Sequence, residues 1–384
     1  MKSRVTIKDI AAEAGVSTGT VHRALYGKKG ISDTVRHRIL DICAAHDYQT
    51  NTAASALKRG VTRIAAAFPG PQNENTYFYS SVWRGFHHCM AELRDYNLEV
   101  IELPYYSGTI NDQASELNAC FERYAGKLDA LITIGPTVDA SLHAVQQYSN
   151  ANIPVFLACD DAPECGRIAC VQANYEMTGR IAAELLANQI PSDGTVLICA
   201  GDILTPSHYR TAAGFEAYLH ENKIPLKLLK INGYTNKQEL SMHLSQTLTQ
   251  YPEIQATFSV SARLSVLLAE IVAQANRSGQ IRIIASDLFN ETIHNIENGL
   301  VQNIIYKNPT RQAYLATKIM GDYILRGITP HSDIQYVESR VIFKSNLEYY
   351  KGEKDNEKKS ISSSISNNDG SNDDGRMWKI RDKE

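Results

Sequence analysis

The sequence predicts an all-α helix-turn-helix headpiece, a larger two-lobed α/β body and a disordered C-terminal tail. Three observations carry that prediction. Residues 6–25 hold two short runs of helically spaced apolar residues around a glycine. From residue 63 onward, short β-rich runs alternate with helical stretches. Residues 351–384 are dominated by Lys, Asp, Ser, Asn and Gly, with few apolar side chains.

In the first stretch, Ile7, Ile10, Ala11 and Ala14 fall on one helical face. Gly15 stands where the chain must turn, because glycine accepts backbone conformations that other residues resist. Ser17 is placed to cap a second helix. Val16, Val21 and Leu25 then pack inward, while Thr18, Gly19, His22 and Arg23 face outward. A helix-turn-helix presents its second helix in this way to the major groove of DNA; the alternative is an ordinary helical hairpin in a globular core. Ser32 or Asp33 caps a third helix with an apolar face of Val35, Ile39, Ile42 and Ala45. Arg36, His37 and Arg38 near its start are either phosphate contacts or a solvated face. Residues 51–59 form a small Ala-rich segment, too short to repay helix nucleation by itself. It orders only when something packs beside it.

Charge is distributed to match. Residues 1–60 carry 10 Lys/Arg and 5 Asp/Glu (+5), the remaining 324 carry 29 and 37 (−8), and the sum is −3. A basic module on an acidic body suits an anionic partner for the first part only. The seven cysteines form no CxxC pair and no cluster with zinc spacing, so they read as reduced thiols, and no metal is expected. The N-terminus has no apolar signal segment, and no run approaches the roughly 18 apolar residues of a membrane span. A cytoplasmic protein without a membrane partner is expected.

Residues 1–60 resemble the DNA-binding headpiece of the LacI/GalR family of bacterial transcription regulators. Thr6-Ile7, Asp9, Ala11, Ala14-Gly15-Val16-Ser17, Thr20-Val21, Arg23 and Leu25 follow that family's pattern in order. The resemblance implies a double-stranded DNA operator as partner, with Thr6, Ser17, Thr18, Gly19, Thr20, His22 and Arg23 at the interface. Gly19 has no side chain to offer, so Thr18 and Arg23 carry more of the direct readout. Asn51, Ala54 and Leu57 match the family's hinge helix, with Leu57 as the wedge in a central minor-groove step. Thr50 stands where Pro is usual, and Ser55 where Arg is frequent.

In the body, strands are predicted at 63–68, 98–103, 128–134, 153–157, 195–199, 226–231, 256–260, 281–285 and 300–305. Helices are predicted at about 80–95, 111–126, 139–149, 176–189, 208–222, 237–250, 262–276 and 311–326. Such alternation implies parallel sheets covered on both faces, in two halves with a late crossover. The layout is similar to the type I periplasmic sugar-binding domain that the same family carries. The expected divisions are 1–50 headpiece, 51–60 hinge helix, 61–350 ligand-binding and dimerisation domain, and 351–384 tail. The tail's 8 basic and 8 acidic residues cancel, which fits a disordered extension, with Trp378 and Ile380 as a conceivable docking motif.

A sugar cleft needs polar groups for hydroxyls and aromatic faces for C–H surfaces, supplied at strand ends. Asn75, Tyr77 and Phe78 follow the first strand, where sugar-binding relatives often show Asn-x-aromatic-aromatic; packing against their own lobe is the alternative. Asp160 and Asp161 follow the fourth strand, as hydroxyl acceptors or as loop charges. Arg210 resembles the family's Ser…Arg…Gly-Phe arginine, although it stands four residues before Gly214 where three is usual. Asp287 matches a Gly-x-Asp at a late strand end. Ser261 takes the place of a usual Asn, and Asn308-Pro309 that of Gln-Pro. Arg210 and Arg263, if both face the cleft, favour an acidic or phosphorylated sugar. Asn174 reads as a helix cap, and Gly179, Ala182 and Ala183 as packing residues.

No GxSxG elbow, Walker loop, HExxH or dinucleotide-binding glycine fingerprint is present, so neither an enzyme nor a cofactor is expected. The expected function is a sequence-specific transcription regulator, acting as a repressor and a homodimer, controlled by a sugar or sugar-derived effector. The alternative is a solute-binding protein for sugar uptake without a DNA-binding role.

Overall fold

The structure is a computed structural model that describes residues 7–25, 30–46, 60–106, 112–202, 204–232 and 237–351. The hinge residues 51–59, Thr6 and the tail beyond Lys351 lie outside the described residues, as does the side chain of His22.

The headpiece has three helices, α1 (Ile7–Glu13), α2 (Thr18–Leu25) and α3 (Asp33–Ala45). Gly15 turns the chain between the first two with a φ of 62°. Ser17 caps α2, its Oγ accepting from Thr20 N at 3.1 Å. Ser32 caps α3 by accepting from Val35 N at 3.4 Å. Ile10, Ala14, Val21, Ala24, Ile39 and Cys43 close the small core. The expected apolar face of α3 needs one correction: Ala45 is exposed and Cys43 is buried in its place. Cys43 lies one turn after Ile39, whereas Ala45 is rotated away from that row.

The body holds two six-stranded sheets of matching order. In lobe 1 the order is β2 (Leu98–Tyr105), β1 (Thr62–Pro69), β3 (Ala130–Ile134), β4 (Val155–Ala158), β5 (Ala169–Ala173) and β11 (Ile334–Val337), all parallel. In lobe 2 it is β7 (Lys227–Asn232), β6 (Thr195–Gly201), β8 (Ile254–Ser259), β9 (Arg282–Ser286), β10 (Asn303–Tyr306) and β12 (Arg340–Ile342). Only β12 runs antiparallel to its neighbour. Near-continuous burial along β1, β3, β4 and β6 is what a sheet covered on both faces requires. Lobe 1 is flanked by α4 (Thr76–Glu92), α5 (Gln113–Tyr124), α6 (Asp139–Asn150) and α12 (Pro309–Arg326). Lobe 2 carries α7 (Tyr175–Ala187), α8 (Pro206–Glu221), α9 (Lys237–Gln250), α10 (Ala262–Gln274) and α11 (Asn290–Glu297).

The chain crosses between the lobes three times, after β5, after β10 and between β11 and β12. These crossings are tied together. Fully buried Gln312 accepts from Ala173 N at 3.2 Å and donates to Lys307 O at 2.6 Å, joining the first two. Thr178 and Ser339 share a 2.8 Å hydroxyl bond that joins the first and third. Asn174 does cap α7, accepting from Met177 N at 3.0 Å. Gly179 and Gly214 let α7 and α8 touch: a Cβ on Gly179 would lie 1.9 Å from Thr211 O, and one on Gly214 2.1 Å from Glu176 O.

Candidate functional site

The cleft is built where strand ends of the two lobes face each other. Tyr77 and Phe78 lie in the first turn of α4. They do not pack only on their own lobe. Both join a cluster with Ala262, Val266 and Phe289 of lobe 2, and Tyr77 stacks on Phe289 at 4.6 Å between centroids. Asn75 sits half-buried at the N-cap position of α4 without using its side chain as a cap.

Asp160 follows β4 and reaches across the cleft. Its Oδ1 accepts from Ser207 N, at the start of α8, at 3.0 Å. A carboxylate at a helix N-terminus is favoured by the exposed N–H groups and their dipoles. Burial raises the Asp160 carboxyl above its ordinary pKa, opposed by Ser207 and by the charges of Lys307 and Arg210. Its neighbour Asp161 turns the other way. It grips Arg167 through both guanidinium branches, and Arg167 also reaches Asp333 beside β11 at 3.1 Å. Asp161 is therefore a buried structural ion-pair residue.

Lobe 2 supplies most of the charge. Asp287 follows β9 in the left-handed region, with a φ of 65°, and is 1% exposed. Its Oδ1 accepts from Lys307 N at 3.2 Å. Its Oδ2 pairs with Lys307 Nζ at 3.0 Å. Burial pushes this carboxyl up as well, with Lys307 pulling it back down. Lys307 was not anticipated from the sequence. It directly follows β10 and is nearly buried, with Nζ donating to Val260 O at 2.9 Å. His208, on α8, accepts from Asp202 N through Nδ1 at 3.1 Å, which leaves the proton of the neutral ring on Nε2. Burial first, then Lys307, holds its pKa down at about 4.

The remaining expected residues fall as follows. Ser261 is the N-cap residue of α10, with no capping bond from its hydroxyl. Arg263 is exposed one residue into that helix and acts electrostatically on both Tyr79 of lobe 1 and His208. Arg210 is exposed and acts on Asp160. Asn308 has a structural role besides the expected one. It adopts a φ of 54°, and its Oδ1 accepts from Arg311 N at 3.0 Å and Tyr306 Oη at 3.1 Å, so its amide oxygen caps α12.

On the headpiece, Ser17, Thr18, Gly19 and Arg23 are exposed along α2, and Thr20 is half-buried. Ser17 and Thr20 hold each other through their hydroxyls at 2.9 Å, so both also shape the helix start. Arg36 donates to the carbonyls of Arg23 and Ala24, each at 3.3 Å. A cation there completes the C-terminal end of the helix that carries Arg23. His37 bonds back to Asp33 O at 2.8 Å, and Arg38 is exposed.

Comparison with known proteins matches both parts. Residues 6–51 match the model for bacterial regulatory proteins of the lacI family, and residues 66–327 match the periplasmic binding protein domain. The body belongs to the periplasmic binding protein domain family, and the headpiece is a lacI-family region. Among its LacI-family relatives, catabolite control protein A of Streptococcus mutans is 24% identical over 225 residues, 58% of this chain and 63% of that protein. The chain thus aligns with less than two thirds of that relative's length. The corresponding protein of Staphylococcus xylosus is 21% identical over 75% of this chain and 83% of the relative. The regulator MalR of Streptococcus pneumoniae is 31% identical over 33% of this chain and 38% of its own. In fold, the body is similar to GanP, a glucose-galactose binding protein from Geobacillus stearothermophilus, with a TM-score of 0.65 and 23% identity over 75% of this chain and 99% of GanP. It is similar in the same way to a solute-binding protein from Burkholderia graminis solved with D-arabinose, with a TM-score of 0.65 and 17% identity over 74% of this chain and 96% of that one.

Proposed function

We propose that this chain is a DNA-binding transcription regulator of the LacI family whose operator affinity is set by a sugar or sugar derivative held between the lobes. One observation carries the reading: a helix-turn-helix with exposed Thr18, Gly19 and Arg23 precedes a two-lobed body whose cleft brings together buried Asp160, Asp287 and Lys307 beside the Tyr77–Phe289 stack. Buried polar groups converging beside aromatic faces are the combination that ligand hydroxyls and C–H surfaces call for. Two headpieces of a homodimer place their second helices in successive major-groove half-sites. Closing or opening the lobes about the three tied crossings changes the spacing of the paired hinges, and so DNA affinity. The chain acts in the cytoplasm, as a repressor and not an enzyme. None of the described helices is long and apolar enough to cross a membrane. GanP and the Burkholderia protein share the body fold, but a role limited to solute uptake leaves the headpiece without a use.

Selection from a random duplex library with the full chain tests the reading. A recovered palindromic site bound far more tightly than scrambled DNA is expected, with Arg23→Ala relaxing preference at one base step by about 1–3 kcal/mol. Equal retention of all duplexes, lost together at high salt, would contradict it.

A further inference from the structure

β11 is the end strand of the lobe 1 sheet and, among the described residues, pairs with β5 alone. Cys170 N donates to Asp333 O, so in this parallel pair the odd-numbered residues of β11 turn their backbone groups to β5. Those of Ile334 and Tyr336 turn to the open edge. Ser332 Oγ sits there on Ile334, accepting from its N–H at 3.3 Å and donating to its carbonyl at 2.8 Å. Tyr336 is 56% exposed. Two acids bracket the strand, with the side chains of Asp333 and Glu338 70% and 83% exposed. An open edge of this kind is a template for a further strand.

The chain carries a segment that fits this edge. Residues 352–375 hold 3 Lys and 6 Asp/Glu, a net charge of −3, and two large apolar residues, Ile361 and Ile365. The next six, Arg376-Met377-Trp378-Lys379-Ile380-Arg381, carry +3 and three large apolar residues. In a strand, Trp378 and Ile380 share a face. Antiparallel pairing with Trp378 opposite Tyr336 sets Ile380 opposite Ile334 and Met377 opposite Val337. The same register sets Arg376 opposite Glu338, Arg381 opposite Asp333 and Lys379 opposite Gln335. Every large apolar residue then meets another, and both arginines meet an acid. Parallel pairing through the same aromatic pair sets Arg376 against Ile334 and Ile380 against Glu338, so the residues select the antiparallel register. The 24 residues of 352–375 reach up to about 80 Å when extended. The radius of gyration expected for a body of this size is about 19 Å. Tethering raises the effective concentration to about the millimolar range, enough for a weak six-residue contact. We infer that residues 376–381 add to β11 as a seventh, antiparallel strand of the lobe 1 sheet, the chain's own tail closing its open edge. Ser332 Oγ yields Ile334 to the new strand. β11 leads directly into Ser339, whose bond to Thr178 joins two of the crossings, so the tail is tied to a segment that connects the lobes. The docking is independent of what the cleft binds.

The test is disulfide trapping in the full chain. Gln335 and Lys379 form a non-hydrogen-bonded pair in this register, and the Cα separation of about 4.5 Å in such a pair suits a disulfide. The seven native cysteines are all buried. The chain with Gln335→Cys and Lys379→Cys is expected to close a disulfide within one molecule about tenfold faster than the chain with Gln335→Cys and Ser371→Cys, since a held thiol outpaces a merely tethered one. Equal rates overturn the inference. A disulfide that joins two molecules assigns the strand to a second copy and overturns docking of the chain's own tail. Hydrogen exchange gives a second readout without new cysteines. The Tyr336 amide should exchange about tenfold more slowly in the wild type than in the chain with Trp378→Ser and Ile380→Ser, with protection along β1 the same in both. An unchanged rate at Tyr336 overturns the inference as well.

Discussion

The two lobes share a strand order and divide the chemistry of the cleft. Lobe 1 presents Tyr77, Phe78 and Tyr79, with Asp160 as its carboxylate. Lobe 2 presents His208, Arg210, Arg263, Asp287 and Lys307. In the cleft the lobes meet at the Tyr77–Phe289 stack, with Phe78, Ala262 and Val266 around it, and at the Asp160–Ser207 N bond, while Tyr175 Oη of α7 donates to Cys159 O beside β4. The duplicated frame thus supplies strand ends and helix starts at equivalent places, and the residues placed there make one wall a largely aromatic surface and the other a charged one. Lobe closure sets the two against each other.

Substitutions that act on one wall and not the other would sharpen or break this division. The largest effect is expected at Lys307. Lys307→Met leaves Asp287 buried without its cation and should cost about 3–5 kcal/mol in urea unfolding. Exchange of Asp287 for Asn in the same chain should recover part of that loss; an equal loss in the double variant would show that packing, not charge, is at stake. His208 comes next. Its folded pKa lies near 4, below the ordinary 6.5, so the neutral ring is favoured by folding. The stability it contributes is present above pH 6.5 and is lost as pH falls toward 4, by at most about 3 kcal/mol. Asp160 and Asp287 act with the opposite sign, because their raised pKa values make acid relieve their burial. The measurement is therefore the difference in unfolding free energy between wild type and His208→Gln from pH 7 to pH 4, which should shrink with acid. A constant difference would contradict the burial of a neutral ring.

On the aromatic wall, Tyr77→Ala removes a stack worth about 0.5–1.5 kcal/mol beyond its area. Its expected signature is an increase in radius of gyration by small-angle scattering as the lobes part, with each lobe's core intact. An unchanged radius would remove the stack from lobe closure. The smallest effect is expected outside the cleft. Arg36→Ala should cost the headpiece about 1 kcal/mol by uncapping α2. The slope of log affinity against log salt should hold; a slope smaller by about 0.9 would mark Arg36 as a phosphate contact instead.

Much of the frame is legible in the residues. The turn at Gly15, the Ser17 cap and nine of the body strands follow from spacing, capping and β-rich runs. What escapes sequence reading is short or atypical. Ala169–Ala173 is a strand of small residues and one Gln, held by pairing with β4 and β11 and by packing into the cores on both sheet faces. Ile334–Val337 and Arg340–Ile342 are only four and three residues long, and they form because the third crossing delivers them to sheet edges. Asn290–Glu297 is a polar helix with two buried residues, Thr292 and Ile296. In the site, Asp160 and Asp287 stand out because they directly follow strands. Lys307 does not, since a lysine at a strand end ordinarily reads as a solvated charge. Its role emerges only when Val260 and Asp287 are brought beside it from other strands. The capping role of Asn308 is equally hidden, because its left-handed backbone and capping bond belong to the crossing and are invisible in a dipeptide.

The most direct measurement for the whole account is operator affinity of the full chain, by fluorescence anisotropy on a selected duplex, with and without the sugar or sugar derivative that raises its melting temperature most. Coupling between cleft and headpiece predicts a change of about 5- to 150-fold at saturation, equivalent to about 1–3 kcal/mol. The same affinity in both conditions, with the compound shown to be bound, would contradict the claim that the cleft controls the reading head.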